Sequence, residues 1–397
     1  MNVKQLKKQF EHELTDNILY YWVKTVYDPR RRTFYGRITN SGEKFPDAAL
    51  SAVFTTRIMW TFAAASHYYP TAIYRRMADE AFRILMESFW DNKNGGIYWS
   101  VKPDGTPVDT KKQFYAEAFF IYALSEYHRI FHDDKSKQLA VTMFNLMEKY
   151  ALDAKFGGYF EASTANWQST KDQYLIPQNP EVKKSMNTHL HILEAYTNLY
   201  RIWKDETLKK QLHNLIRIFL DKIINPKTFH FYLFFDDDWT VRSDIDSYGH
   251  DIEGSWLLCE AAEVLGNEEL LQEVQPIALK MVAVTRKEGV DKSGGLYYEK
   301  EGEKLNKQYD WWPQAETVVG FFNGWQLSGN ESYLRQAEKT WDFIQKYIVD
   351  RKNGEWFRGV SPDLKPLPGD KVSGWKAPYH NSRMCLEMIR RMDKTSE

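Results

Sequence analysis

The most informative stretch of the chain is Tyr248-Gly-His250-Asp-Ile-Glu253-Gly-Ser-Trp256. An imidazole and a carboxylate three residues apart share one face of a helix and can hydrogen-bond. A carboxylate on one ring nitrogen fixes the tautomer and raises the basicity of the other, so the spacing predicts a base held by Glu253. Such a pair also suits a metal, but no second ligand set has suitable spacing. Trp375-Lys-Ala-Pro378-Tyr-His380 carries a second histidine. Pro378 fits the first position of a helix, which puts His380 in a first turn. There the positive end of the helix dipole disfavours imidazolium and leaves a neutral ring able to take a proton.

Other polar residues stand out against apolar surroundings. Asp310-Trp-Trp312-Pro-Gln-Ala-Glu316 puts a ring and a carboxylate at i and i+4, facing the same way. Asn187-Thr-His189-Leu-His191 offers two imidazoles that a helix turns about 200° apart; His189 is expected to face inward. Arg57 is a single charge on an otherwise apolar helix face, and such an arginine needs a buried anionic or polar partner. Taken singly, each of these residues is also open to a packing or capping role.

The elements that must position them form a repeat. Short aromatic, strand-like segments recur, with Tyr35, Ile97, Tyr159, Tyr232, Tyr297 and Trp356 at steps of 62, 62, 73, 65 and 59 residues. A near-constant period of this kind marks a repeat architecture. Between the markers the pattern turns helical, predicting helices over 50–66 and 71–90, 112–131 and 134–150, 186–203 and 207–223. Further pairs fall at 250–265 and 268–285, then 313–328 and 332–348. A last helix from near Pro378 pairs with one over roughly 3–24. Six helix pairs predict an all-α fold, an (α/α)6 barrel with short β-hairpins at one end, formed as one domain over 1–397. An open solenoid is the alternative, but its units are shorter, about 33–47 residues, and lack the hairpin. The irregular stretch from about Asn166 to Lys184, with Pro177 and Pro180, has the length of a lid.

Arg57, Tyr115, His189, His250, Trp312, Trp375 and His380 each fall at or near the start of the first helix after a marker. In a six-fold barrel such positions point at the same end of one central cavity. The 14 Trp, 24 Tyr and 23 Phe exceed what a core alone needs and suit a site that stacks flat, amphipathic rings such as sugars. With a net charge of −1 and no basic stripe, the chain has no footprint for nucleic acid. Cys259 and Cys385 form no C-x-x-C pattern and no disulfide framework. No apolar signal core and no run of about 18 apolar residues occurs, so a cytoplasmic location is expected. Phosphate-binding and dinucleotide glycine loops, and a G-x-S-x-G elbow, are missing from the sequence.

The segments Lys184-Ser-Met-Asn-Thr-His189-Leu-His, Ser247-Tyr-Gly-His250-Asp-Ile-Glu253, Trp311-Trp-Pro-Gln-Ala-Glu316 and Gly374-Trp-Lys-Ala-Pro-Tyr-His380, with Arg57 and Phe114-Tyr115, carry a family resemblance. The chain resembles the N-acylglucosamine 2-epimerase superfamily over nearly its whole length, and within it most resembles the cellobiose 2-epimerases. The resemblance implies an (α/α)6 barrel and reversible epimerisation at C2 of the reducing-end glucose of β-1,4-disaccharides. Cellobiose would become glucosyl-mannose and lactose epilactose, with no cofactor and no metal. It implies that His250 and His380 transfer the protons, with Glu253 supporting His250. His189, Arg57, Tyr115, Asn187 and Glu316 would bind and polarise sugar oxygens, and Trp312 and Trp375 would stack on the rings. The implied partner is the disaccharide, with the chain a monomer or weak homodimer.

The residue types suit that chemistry. A C2 proton is acidic only beside an open-chain aldehyde, and the enediolate left by its removal needs cationic or hydrogen-bond stabilisation. Three rivals use the same residues otherwise. A monosaccharide 2-epimerase or aldose–ketose isomerase, acting on mannose or N-acylglucosamine, would share both histidines. A glycoside hydrolase would use Glu253 and Glu316 as its acid and base and leave the histidines without work. A non-catalytic barrel would only bind carbohydrate or protein.

Overall fold

The computed structural model describes residues 3–173 and 182–396. Positions 174–181, within the stretch expected to form a lid, lie outside them. The chain runs α1 (Val3–His12), α2 (Ala52–Tyr68), α3 (Ala72–Ile84), α4 (Phe114–Phe131), α5 (Asp134–Tyr150), α6 (Met186–Ile202), α7 (Glu206–Ile218), α8 (Tyr248–Leu265), α9 (Glu268–Glu288), α10 (Trp311–Ser328), α11 (Glu331–Phe343) and α12 (Tyr379–Ser396). Of the even-numbered helices, α2, α4, α6, α8 and α10 are apolar nearly all round and almost wholly buried, as a central ring requires. The odd-numbered ones bury a single stripe and turn their charged face outward.

Each inner helix packs on the next, α2 on α4, α4 on α6, α6 on α8, α8 on α10 and α10 on α12, and α12 closes back onto α2. The result is an (α/α)6 barrel. Its sixth pair joins the first and last helices: α1 covers α12, with Lys7 2.5 Å from Asp393. The turn that follows α1 adds Glu13, which accepts the indole N–H of Trp356 at 2.8 Å. Several outer helices widen into a π turn at their last residues, as at Leu85–Phe89, Phe219–Ile223 and Ile344–Ile348.

After each outer helix the chain reverses, and one residue pair bridges the reversal. The six bridges are Tyr27–Phe34, Trp90–Ile97, Leu152–Tyr159, Ile224–Phe231, Val290–Leu296 and Val349–Trp356. The aromatic segments that mark the repeat therefore close turns, and paired strands such as Glu299–Glu301 with Lys304–Asn306 lie just beyond them. Asp28, Asp91, Asp153, Asn225, Asp291 and Asp350 begin these turns. Each accepts the backbone N–H groups two and three residues ahead, the short-range bonding that suits Asx residues to turns.

A second layer ties each turn to the following inner helix. The fourth residue of α4, α6, α8 and α10 accepts a backbone N–H from the bridge segment. Glu117 takes Ile97 at 3.0 Å, His189 takes Tyr159 at 2.9 Å, Asp251 takes Phe231 at 2.8 Å and Gln314 takes Leu296 at 2.8 Å. α8 and α10 start at Tyr248 and Trp311, two residues before the sequence expectation. No helix among the described residues is long and apolar enough to cross a membrane.

Candidate active site

The starts of the inner helices surround a cavity of about 210 Å³ at one end of the barrel, lined among others by Arg57, Tyr115, Asn187, His191, His250 and His380. The polar residues in and beneath the cavity come from two depths. Asn187 and Trp312 are second in α6 and α10 and His250 is third in α8, so they stand at the mouth. Arg57, His191, Glu253 and Glu316 are each the sixth residue of their helix and lie one turn deeper. Arg383 of α12 joins that deeper layer.

Two imidazoles lie close to one indole. The ring of Trp312 is 4.6 Å from that of His250 and 5.6 Å from that of His380. Gly249 makes the approach possible, since a Cβ there would lie 2.7 Å from the Trp312 ring. Nδ1 of His380 is 2.7 Å from Oε1 of Glu316. Nδ1 of His250 is 2.7 Å from Oγ of Ser247. Neither Nε2 bonds to another described residue, so both are available to a ligand. Burial, followed by the nearby His191, pushes His250 down to about 3. Burial, then Arg57 and Arg383, holds His380 well below the usual imidazole range. In both positions burial favours the neutral ring.

Arg383 organises the floor. Its guanidinium bonds to Glu194, to Glu253 and, at 2.7 Å, to Glu316. Burial pushes Glu194 up, but Arg383, His191 and Tyr379 outweigh it and hold the carboxylate at about 2. Glu194 in turn holds Nδ1 of His191 at 3.0 Å. Glu253 is raised to about 7 by burial and by Glu316. Glu253, Glu316 and His380 bring their ligand atoms within 4.8 Å of one another, a grouping that could hold a cation. Arg383 already bonds to both carboxylates, so the chain supplies that positive charge itself.

Arg57 is different. It donates to the Tyr115 hydroxyl at 3.0 Å and to the Trp375 carbonyl at 2.9 Å and lies over the Phe119 ring at 4.6 Å. It has polar partners, as expected, but no carboxylate partner among the described residues. Its buried Nε and the buried Oδ1 of Asn187 have no hydrogen-bond partner. A buried, uncompensated cation in a pocket is costly unless a ligand brings negative charge.

Nine of the expected site residues meet around this cavity or directly beneath it: His250, His380, Glu253, Arg57, Tyr115, Asn187, Trp312, Trp375 and Glu316. Three expectations are corrected. His250 is not held by Glu253, whose carboxylate is drawn to Arg383; Ser247 holds it. Glu316 does not line the cavity but lies behind His380, between it and Arg383, with the Trp256 indole N–H at 3.2 Å. His189 is not the inward imidazole. Its Nδ1 meets the Ser185 carbonyl at 2.7 Å and its Nε2 accepts the Tyr159 N–H, so it clamps a turn as Glu117, Asp251 and Gln314 do. His191 faces the cavity in its place. Counting from the helix starts would have found it, because His191 matches Arg57, Glu253 and Glu316 in phase. Arg383, Glu194 and Ser247 were also missed. Cys259 and Cys385 are buried free thiols.

Residues 33–383 match the model of the N-acylglucosamine 2-epimerase family. The chain is 44% identical over 387 residues to a cellobiose 2-epimerase of Bacteroides fragilis, covering 97% of this chain and 98% of that one. It is 35% identical over 393 residues to a cellobiose 2-epimerase of Dictyoglomus turgidum, covering 99% and 100%. The solved structure of cellobiose 2-epimerase from Bacillus thermoamylovorans superposes with a TM-score of 0.95 at 35% identity, covering 98% of this chain and 100% of that one.

Proposed function

The chain belongs to the N-acylglucosamine 2-epimerase family, and from that premise we propose that it epimerises C2 of the reducing-end glucose of β-1,4-disaccharides, turning cellobiose into glucosyl-mannose and lactose into epilactose. The observation that carries the reading is the pair of cavity-lining imidazoles, each anchored through Nδ1 and each close to the Trp312 ring. Inversion at carbon needs a base on one face and a donor on the other, and two imidazoles in one cavity can serve as that pair.

The sugar enters with its reducing end at the cavity floor, its ring faces against Trp312 and Trp375. Opening of the pyranose exposes the C1 aldehyde and makes the C2 proton acidic. One of His250 and His380 removes that proton through Nε2, leaving a cis-enediolate. Arg57 carries no counter-charge of its own and meets the oxyanion, with Tyr115 steadying the guanidinium. The free carbonyl of Asn187 accepts a sugar hydroxyl, and His191 takes the binding role first expected of His189. The second imidazole acts as an imidazolium: it gives its Nε2 proton to the opposite face of C2 and is left neutral, while the first keeps the proton it removed, and exchange with solvent resets the pair. Each step is a proton transfer, so neither hydride nor metal is called for.

The hydrolase reading loses its acid and base here, because Glu253 and Glu316 are both bonded to Arg383 and Glu316 is closed off from the cavity. The test is incubation with cellobiose in D2O, followed by NMR. Glucosyl-mannose with deuterium at C2 is the expected product. Free glucose would replace the epimerase with a hydrolase. Conversion of mannose or N-acylglucosamine with cellobiose untouched would keep the proton transfer and overturn the disaccharide.

A further inference from the structure

We propose that Ser247 is a positioning residue that holds the His250 imidazole through each of its protonation states. The proposal rests on the reading of His250 as a proton-transfer residue. Ser247 occupies the N-cap of α8, where a serine ordinarily accepts a backbone N–H in the first turn. Ser51 and Ser185, the N-caps of α2 and α6, do so, taking Phe54 N–H at 3.0 Å and Thr188 N–H at 3.2 Å. Ser247 makes no cap bond. Its hydroxyl is turned to Nδ1 of His250, 2.7 Å away. Gln113 and Asp310, at the starts of α4 and α10, make no side-chain cap bond either, but Ser247 is the serine cap that has turned its hydroxyl to an imidazole of the cavity.

The chemistry of the partner gives the contact a purpose. His380 and His191 rest on carboxylates, Glu316 and Glu194, which accept hydrogen bonds but do not donate them. A hydroxyl does both. With the proton on Nδ1, Ser247 accepts and Nε2 offers a lone pair to the cavity. With the proton on Nε2, Ser247 donates to Nδ1 and the ring offers an N–H. In the imidazolium, Ser247 accepts again. The ring keeps one orientation, between the hydroxyl and the Trp312 indole at 4.6 Å, while its protons come and go.

The test compares Ser247→Ala, Ser247→Thr, Ser185→Ala and His250→Asn in the full chain, by cellobiose epimerisation and thermal unfolding. Ser247→Ala is expected to lower kcat about tenfold or more with KM changed less than about threefold, as loss of a support behind a reacting group does. Its unfolding midpoint should hold, since no cap is lost, whereas Ser185→Ala should lower the midpoint. Ser247→Thr keeps the hydroxyl and should recover most of kcat. A Ser247→Ala enzyme with unchanged kcat overturns the proposal, and so does a midpoint loss as large as that of Ser185→Ala. If His250→Asn keeps full activity, the reading of His250 fails instead, whatever Ser247→Ala does.

Discussion

His189 and His191 stand two residues apart on α6 and serve different layers of the barrel. His189 accepts the Tyr159 N–H and clamps a turn, while His191 rests on Glu194 and lines the cavity. Gln314 does the clamping work of His189 in α10, accepting Leu296 N–H and donating to the carbonyl of Asp310 four residues back.

His189→Gln should therefore fold and keep kcat within about threefold, whereas His191→Ala should lose about a hundredfold, on the scale of a lost site group. Burial holds His189 down at about 4, below its value near 6.5 in the unfolded chain. The stability it carries is full above pH 6.5 and drains as pH falls toward 4. Urea titrations of His189→Gln across that window should show a shallower acid limb; a dead enzyme with an unchanged limb would return His189 to the catalytic group.

Arg57→Gln separates catalysis from stability. Loss of a donor that meets the enediolate should lower kcat by about 10²–10³-fold. The urea midpoint should not fall, because the change removes a buried cation that no carboxylate balances. An early-melting protein with near-normal turnover would make Arg57 structural.

Arg383→Met should do the reverse and cost about 3–5 kcal/mol, since it leaves Glu194, Glu253 and Glu316 buried together without their cation. Without the guanidinium those carboxyls bind protons more tightly, so the deficit should shrink at pH 5.5 and grow at pH 8. A deficit that ignores pH would mean that packing, not charge, is what Arg383 provides.

Glu117 sets a stability limit on the alkaline side. Burial raises its carboxyl to about 8 while the unfolded value stays near 4.3. The stability it carries is present below the unfolded value and is lost as pH rises through about 8. Glu117→Gln can still accept the Ile97 N–H, as Gln314 does for Leu296. Its unfolding midpoint should rise relative to the parent at pH 8, and that gain should disappear as pH falls below about 4.

Much of this architecture could be read from the sequence, because 3.6-residue periodicity, Asx turns and the marker spacing are local signals. The helix pairs and the convergence of their first turns followed from those alone. The floor of the site was hidden. Arg383 looks like an isolated charge in the last helix, and its partners Glu316, Glu253 and Glu194 are 67, 130 and 189 residues away. Spacing pointed His250 to Glu253, three residues on, and passed over the hydroxyl of Ser247, three residues back. The choice is made by Arg383, which draws Glu253 away. His189 and His191 could be told apart only by their phase from the helix start, a count that places His191 with Arg57 and Glu253.

The pairing of α1 with α12 gives the barrel an order of assembly. α1 leaves the ribosome first and α12 last of the twelve helices, and each must find the other across nearly the whole chain before the ring can shut. Contacts of such sequence separation are slow to form, so α2 to α11 would gather as an open arc with an uncovered inner face at either edge. Since α12 also brings His380 and Arg383, the arc holds no complete site until it closes. Activity regained after dilution from denaturant should then trail the return of helix signal, reporting the joining of the two ends.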